Sequence, residues 1–182
     1  IIISDVTERE ELVARLKDIA RIDALTGLLN RRSWQAAVAM EMERLARHKR
    51  PATLIYLDLD HFKKINDTYG HAEGDRILRR TAEILTGCVR HPDMVGRLGG
   101  EEFGLFLPES GQEDGAVIAE RLRVELLQSF RNDEETLVDV TGSFGVAGTM
   151  ITPDTCLNHL ISMADKAMYR SKRKGRNRVT VS

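Results

Sequence analysis

Two apolar runs, Met94-Val-Gly-Arg-Leu98 and Glu102-Phe-Gly-Leu-Phe-Leu107, are joined through Gly99-Gly100, and this feature constrains the fold most. Paired glycines between apolar runs signal a β-hairpin. A hairpin makes the sheet partly antiparallel, and no G-x-G-x-x-G follows a predicted strand, which disfavours a pure Rossmann arrangement. Helical spacing predicts helices over about 7–21, 32–47, 72–89, 112–130 and 155–172. Trp34, Val38, Met42 and Leu45 form the inner face of the second, and Ile77, Leu78, Ala82 and Leu85 that of the third. Residues 53–60 read as a strand ending in Asp58 and Asp60. Residues 136–146 read as a β-branched, alternating strand, and 177–181 as a last edge strand. The order, roughly α-α-β-α-β-β-α-β-α-β, is that of an α/β sandwich with a mixed sheet.

One domain is the expectation for 182 residues, and 27 Lys plus Arg against 28 Asp plus Glu leaves a formal charge of −1. That balance excludes a general polyanion binder. The two cysteines, Cys88 and Cys156, exclude a disulfide framework and suit a reducing cytosol. Cys88-x-x-His91 and Cys156-x-x-His159 share a zinc-like spacing. Each cysteine, however, lies in or beside a predicted helix and fits a small buried residue. No apolar run approaches the roughly 18 residues of a membrane span, so no membrane partner is expected within this fragment. A start at Ile1 rather than Met points to a piece of a longer chain. In residues 1–21 the narrow stripe of Leu12, Val13, Leu16 and Ile19 suits a helix that pairs with a partner.

Asp58 and Asp60, two apart on a strand, project from one face, while Glu101 and Glu102 sit at the glycine turn. Carboxylates gathered at strand ends call for a cation among them. Hard oxygen donors favour Mg²⁺ or Mn²⁺, and Mg²⁺ generally arrives with phosphates. A calcium loop is excluded, because Phe62 and Lys63 stand where an oxygen ligand and a glycine are needed. Residues 60–75 read as a polar loop leading into a helix start, where backbone N–H groups bind phosphate. Asn66 and Asp75 together can meet a purine that offers donors and acceptors, as guanine does. The cations Lys172, Arg173, Lys174, Arg176 and Arg178 fit a phosphate clamp for a nucleotide. With no aromatic residues interleaved, nucleic acid is not expected as a partner.

Arg97-Leu-Gly-Gly-Glu-Glu-Phe103 closely resembles the signature of GGDEF-type diguanylate cyclases, with Glu101 in place of the first acid's Asp. Asp23-Ala-Leu-Thr-Gly-Leu-Leu-Asn-Arg-Arg32 resembles the family's opening motif, and Asp58 through Asp75 its metal and base segment. Thr141 to Ala147 and Lys172 to Asn177 are similar to its later strand and basic tail, so the likeness spans about residues 22–181 in order. Asp5-Val-Thr-Glu-Arg9 resembles the exit of a PAS sensor domain running into a signalling helix.

The resemblance implies a palm-like nucleotide-cyclase fold, a central mixed sheet surrounded by helices, over residues 22–182. Residues 1–21 would be a linker helix from an upstream sensor domain. It also implies that two GTP condense into cyclic di-GMP and two pyrophosphates across a homodimer, with two Mg²⁺ per site and Mn²⁺ as a substitute. Asp58, Glu101 and the Leu59 carbonyl would ligate metal. Glu102 would be a ligand or the proton acceptor, the choice between Glu101 and Glu102 as catalytic acid staying open. Asn66 and Asp75 would read guanine, with His71 close to the base or ribose. Backbone amides at His61, Phe62 and Lys63, with Lys172 and Arg176, would hold the β- and γ-phosphates. Gly99 and Gly100 would let GTP lie across the hairpin. Arg90, Asp93 and Arg121 match the family's inhibitory product site. Signal transduction in the cytoplasm goes with this reading; a catalytically inactive receptor for cyclic di-GMP or GTP is the alternative.

Overall fold

The structure, a computed structural model, describes residues 21–133 and 138–182. The helix expected over 7–21 and the sensor-exit motif at 5–9 lie outside the described residues, apart from Arg21. Six strands form one sheet in the order β1-β3-β4-β2-β5-β6. They are β1 (Leu29–Asn30), β2 (Pro51–Leu59), β3 (Met94–Gly99), β4 (Glu102–Pro108), β5 (Gly142–Met150) and β6 (Arg178–Val181). The four inner strands pair antiparallel, and each short edge strand pairs parallel with its neighbour. Helices α1 (Arg31–Arg47), α2 (Phe62–Tyr69), α3 (His71–Cys88), α4 (Gln112–Arg131) and α5 (Leu157–Arg173) cover both faces. This is the mixed α/β sandwich expected, with a palm-like arrangement. Among the described residues no helix is long and apolar enough to cross a membrane.

β2 lies between β4 and β5 and is buried from Ala52 to Leu59, which is why its sequence is almost continuously apolar. Alternation divides its side chains between two cores. Leu54 and Tyr56 pack with Trp34, Val38 and Leu45 of α1 and with Leu160 and Met168 of α5. Ile55, Leu57 and Leu59 pack with Ile77 and Leu85 of α3 and with Leu122 and Leu126 of α4. Gly96 and Gly104 stand opposite each other in the β3–β4 ladder. The fully buried Trp34 fills the space they leave: a Cβ at Gly96 would lie 2.6 Å from its indole, and one at Gly104 2.9 Å. The indole N–H donates to the Met94 carbonyl at 3.3 Å.

Four expectations change. The polar segment 60–75, expected as a loop, contains α2, whose Phe62 and Ile65 bury one face three residues apart. The strand expected over 136–146 begins at Gly142 and runs to Met150. β2 sets these limits, since Leu59 pairs with Gly142 and Pro51 with Met150. Among the described residues no strand pairs with 138–141, where only the Thr141 carbonyl meets the backbone just past β2, so β propensity alone does not extend the strand. The two-residue β1 was not foreseen. Cys88 is half-buried, but Cys156 is exposed at the N-cap of α5 rather than packed in the core.

Candidate active site

β2 and β4 place Asp58 directly opposite Glu102, next to the turn between β3 and β4. In that turn Gly99 has φ +145° and Gly100 φ +49°, conformations that L side chains rarely adopt. Among the described residues a Cβ at Gly100 would meet nothing within 4 Å, and one at Gly99 only the Arg31 guanidinium, at 3.8 Å. The space above the turn is therefore open. Arg97 braces it: Nε and Nη2 donate to the Gly100 carbonyl at 3.0 and 2.8 Å, and Nη1 donates to Asp23 at 3.0 Å. Burial alone would raise the Asp23 carboxyl, but hydrogen bonds from Thr26 and Arg97 hold it below the usual carboxylate range.

Each acid of the Asp58–Glu102 pair has one cationic partner from a distant helix end. Asn30 caps α1, and Arg31, its first residue, reaches Glu102 at 3.3 Å while donating to the Leu98 carbonyl. Lys172 lies in the last turn of α5, where basic side chains complement the helix dipole, and its Nζ is 2.7 Å from Asp58. The Asp58 side chain is only 8% exposed. Burial pushes its carboxyl up to about 6, the Lys172 pair opposes the rise, and Glu101 and Glu102 add to it. Tyr56, two residues back, is pushed up to about 12 by burial and by Glu102. Among the described residues no three acidic, His or Cys side chains form a ready-made metal cage.

Asp60 lies one residue past the end of β2, and its carboxylate meets Ser143, the residue that stands opposite Asp58 in the β2–β5 ladder, so both acids lie on the side of the sheet expected. Its carboxylate accepts from Ser143 Oγ at 2.6 Å, Thr141 Oγ1 at 2.8 Å and the Asn177 backbone N–H at 3.0 Å. Beyond it, His61 (φ +58°) precedes α2, and among the described residues no side chain caps that helix. The N–H groups of its first turn thus lack intrahelical partners. Phe62 is buried, whereas His61 and Lys63 are exposed. The Asn66 side-chain oxygen is buried without a hydrogen-bond partner among the described residues, and it lies 1.9 Å from where a Cβ on Gly74 would be. α2 and α3 therefore meet at the glycine next to the half-buried Asp75. His71 opens α3 and is exposed. Lys172 was expected at phosphates and here neutralises Asp58; Arg176 is exposed in a left-handed turn.

Arg90, Asp93 and Arg121 gather at the opposite end of the hairpin, about 20 Å along β4 from its turn. The Arg90 backbone N–H donates to Asp93 Oδ2 at 3.1 Å, and its guanidinium donates to Ser110 Oγ at 3.2 Å. Arg121 donates to the Cys88 carbonyl, just before Arg90 in the chain. Asp93 Oδ1 is buried without a hydrogen bond among the described residues, with Arg90 Nε 3.7 Å away. Sequence reasoning gave no role to Asp23, Arg31 or Arg97. All three sit in quoted motifs, but their ion-pair partners lie across the fold, Glu102 for Arg31 and each other for Asp23 and Arg97.

Acids at adjoining strand ends beside an open glycine turn, on a mixed sheet between helices, define a palm-like domain of the nucleotide-cyclase type. Residues 20–178 match the family described as "Diguanylate cyclase, GGDEF domain", and the chain belongs to that family. It is 38% identical over 186 residues to the probable diguanylate cyclase DgcE of Escherichia coli strain K12. That match covers 100% of this chain but 16% of the relative's length. The coiled coil and GGDEF domain of DgcB from Caulobacter crescentus, in complex with c-di-GMP, superposes with a TM-score of 0.82 at 32% identity, covering 100% of this chain and 97% of that one. The active GGEEF domain of a diguanylate cyclase from Vibrio cholerae gives 0.76 at 31% identity, covering 85% and 97%.

Proposed function

We propose that this domain condenses two GTP into cyclic di-GMP, each copy of a homodimer presenting one GTP to the other. The observation that carries the reading is the Asp58–Glu102 pair beside the open Gly99–Gly100 turn, with one cation on each acid. Mg²⁺ fits this donor set, because it is usually held by one or two carboxylates plus substrate phosphates rather than by an all-protein cage. Asp58, Glu101 and the Leu59 carbonyl would hold it, and Mn²⁺ suits the same oxygens. When bound it supplies charge neutralisation at the reacting phosphate and a more acidic attacking hydroxyl.

The chain's own residues do the rest. The unpartnered Asn66 oxygen, with Asp75, meets the N–H donors of guanine, and His71 lies toward the base or ribose. Uncapped N–H groups at His61, Phe62 and Lys63, with Lys172 and Arg176, take the β- and γ-phosphates. The 3′-oxygen of one GTP bonds the α-phosphorus of the other as pyrophosphate leaves, and Glu101 or Glu102 accepts the hydroxyl proton. The second half-reaction repeats this in the other direction. Arg90 and Arg121 bind a phosphate of the product and Asp93 the guanine edge, inhibiting the enzyme from outside the site. Residues 1–21 form the linker from an upstream sensor domain and set how two copies face each other.

Incubation with GTP and Mg²⁺ tests the reading: cyclic di-GMP appears, and activity per molecule rises with protein concentration. GTP binding without product at any concentration would instead mark a receptor. Removing residues 1–20 weakens self-association in the analytical ultracentrifuge and spares GTP binding; unchanged association would refute the linker role.

A further inference from the structure

We infer that Asp60 is a positioning residue that holds the basic turn at 174–177 in phosphate-binding shape against the end of β2. Gly175, Arg176 and Asn177 all have positive φ, at +110°, +63° and +43°. Two of the three carry side chains that resist this backbone; the end of α5 closes part of the turn, the Arg176 N–H donating to the Ser171 carbonyl at 3.0 Å, and two further ties come from outside that helix. α4 supplies one tie, from Arg123 Nη1 to Asn177 Oδ1 at 2.8 Å. Asp60 supplies the other, accepting from the Asn177 backbone N–H at 3.0 Å.

The Asp60 carboxylate is itself held by Thr141, just before β5, and by Ser143 within it, and the residue is only 4% exposed. Three donors from two separate parts of the chain satisfy a buried charge that would otherwise be costly. With its oxygens so committed, Asp60 has a different task from Asp58. It stands two residues after Asp58, and Asn177 five residues after Lys172. One carboxylate therefore ties the strand end bearing the acid to the turn bearing Arg176. A turn already ordered loses little freedom when an anion arrives, whereas a loose one must be ordered at each binding event.

The inference rests on the reading that Lys172 and Arg176 hold the phosphates of GTP, and the test separates the two. The whole chain is titrated in Mg²⁺ buffer with 3′-deoxy-GTP, which lacks the attacking hydroxyl, and with GMP, which lacks the β- and γ-phosphates. Asp60→Asn removes the charge and leaves one acceptor oxygen, so it cannot accept from both Ser143 and the Thr141–Asn177 side as the carboxylate does. It should lower the ratio of 3′-deoxy-GTP to GMP affinity about tenfold, through loss of a charge-assisted hydrogen bond, with GMP affinity unchanged. Ser143→Ala keeps the charge, removes one hydroxyl and should lower the ratio roughly threefold. If Asp60→Asn fails to fold, Ser143→Ala decides by the same ratio. Arg176→Ala should lower the ratio as well. A wild-type ratio in the folded Asp60 and Ser143 variants, with Arg176→Ala lowered, would overturn the positioning role alone. A wild-type ratio in Arg176→Ala would overturn the phosphate reading and this inference with it.

Discussion

The two ends of the β3–β4 hairpin both combine acids with arginine or lysine, but they are built oppositely. At the turn, Asp58 and Glu102 face each other across a ladder, and their partners Lys172 and Arg31 come from the ends of two distant helices. At the far end Arg90 and Asp93 are three residues apart and meet within one loop, with Arg90 62% exposed and Asp93 2%. Only the first arrangement forces like charges together, and burial there pushes Asp58 up to about 6. Perturbed acids of this kind concentrate where charge chemistry is done. The far end instead presents a guanidinium to solvent beside Asp93 Oδ1, which has no hydrogen bond among the described residues.

The strongest break between the two ends is catalytic. Asp58→Asn and Glu102→Gln should each lower cyclic di-GMP formation by about 10²-fold or more, with the far-ultraviolet circular dichroism unchanged. Rates within a few-fold of wild type at saturating Mg²⁺ would erase the distinction. Arg90→Ala should keep the initial rate while the product's inhibition constant rises on the order of tenfold, reflecting a lost guanidinium–phosphate contact. Superimposable inhibition curves for wild type and Arg90→Ala would make the far end inert.

The smallest effect sharpens the comparison through pH. The folded carboxyl of Asp58, at about 6, lies above its ordinary 3.8, so between these values the folded state holds more protons than the unfolded one. Metal-free stability therefore falls as pH rises through that window. Asp58→Asn removes the dependence. It should be more stable than wild type at pH 7 by on the order of 1–3 kcal/mol, with the gap closing below the ordinary 3.8, by chemical denaturation in chelator. Equal stability at pH 7 would mean that Lys172 fully offsets the burial.

Periodicity made α1, α3, α4, α5, β2 and the hairpin legible, because each buries a long regular stripe. α2 escaped, since only Phe62 and Ile65 of its eight residues are buried and the rest reads as polar loop. The limits of β5 follow from its partner β2, not from its own residues. Asp58 and Asp60 look equivalent as D-x-D; the end of the strand between them gives one a lysine and the other three hydrogen-bond donors. The Arg31–Glu102 and Asp23–Arg97 pairs join residues 71 and 74 positions apart, a separation that no local pattern encodes.

Trp34 is the single tryptophan of the chain, sealed from water over Gly96 and Gly104. The protein thus carries a built-in optical probe against the middle of the hairpin whose tip bears Gly99 and Gly100. Its fluorescence should be blue-shifted in the folded state and shift to the red as the hairpin separates from α1. Unfolding of the strands that carry the site can therefore be followed without any label, apart from helix-wide signals that average over the whole fold.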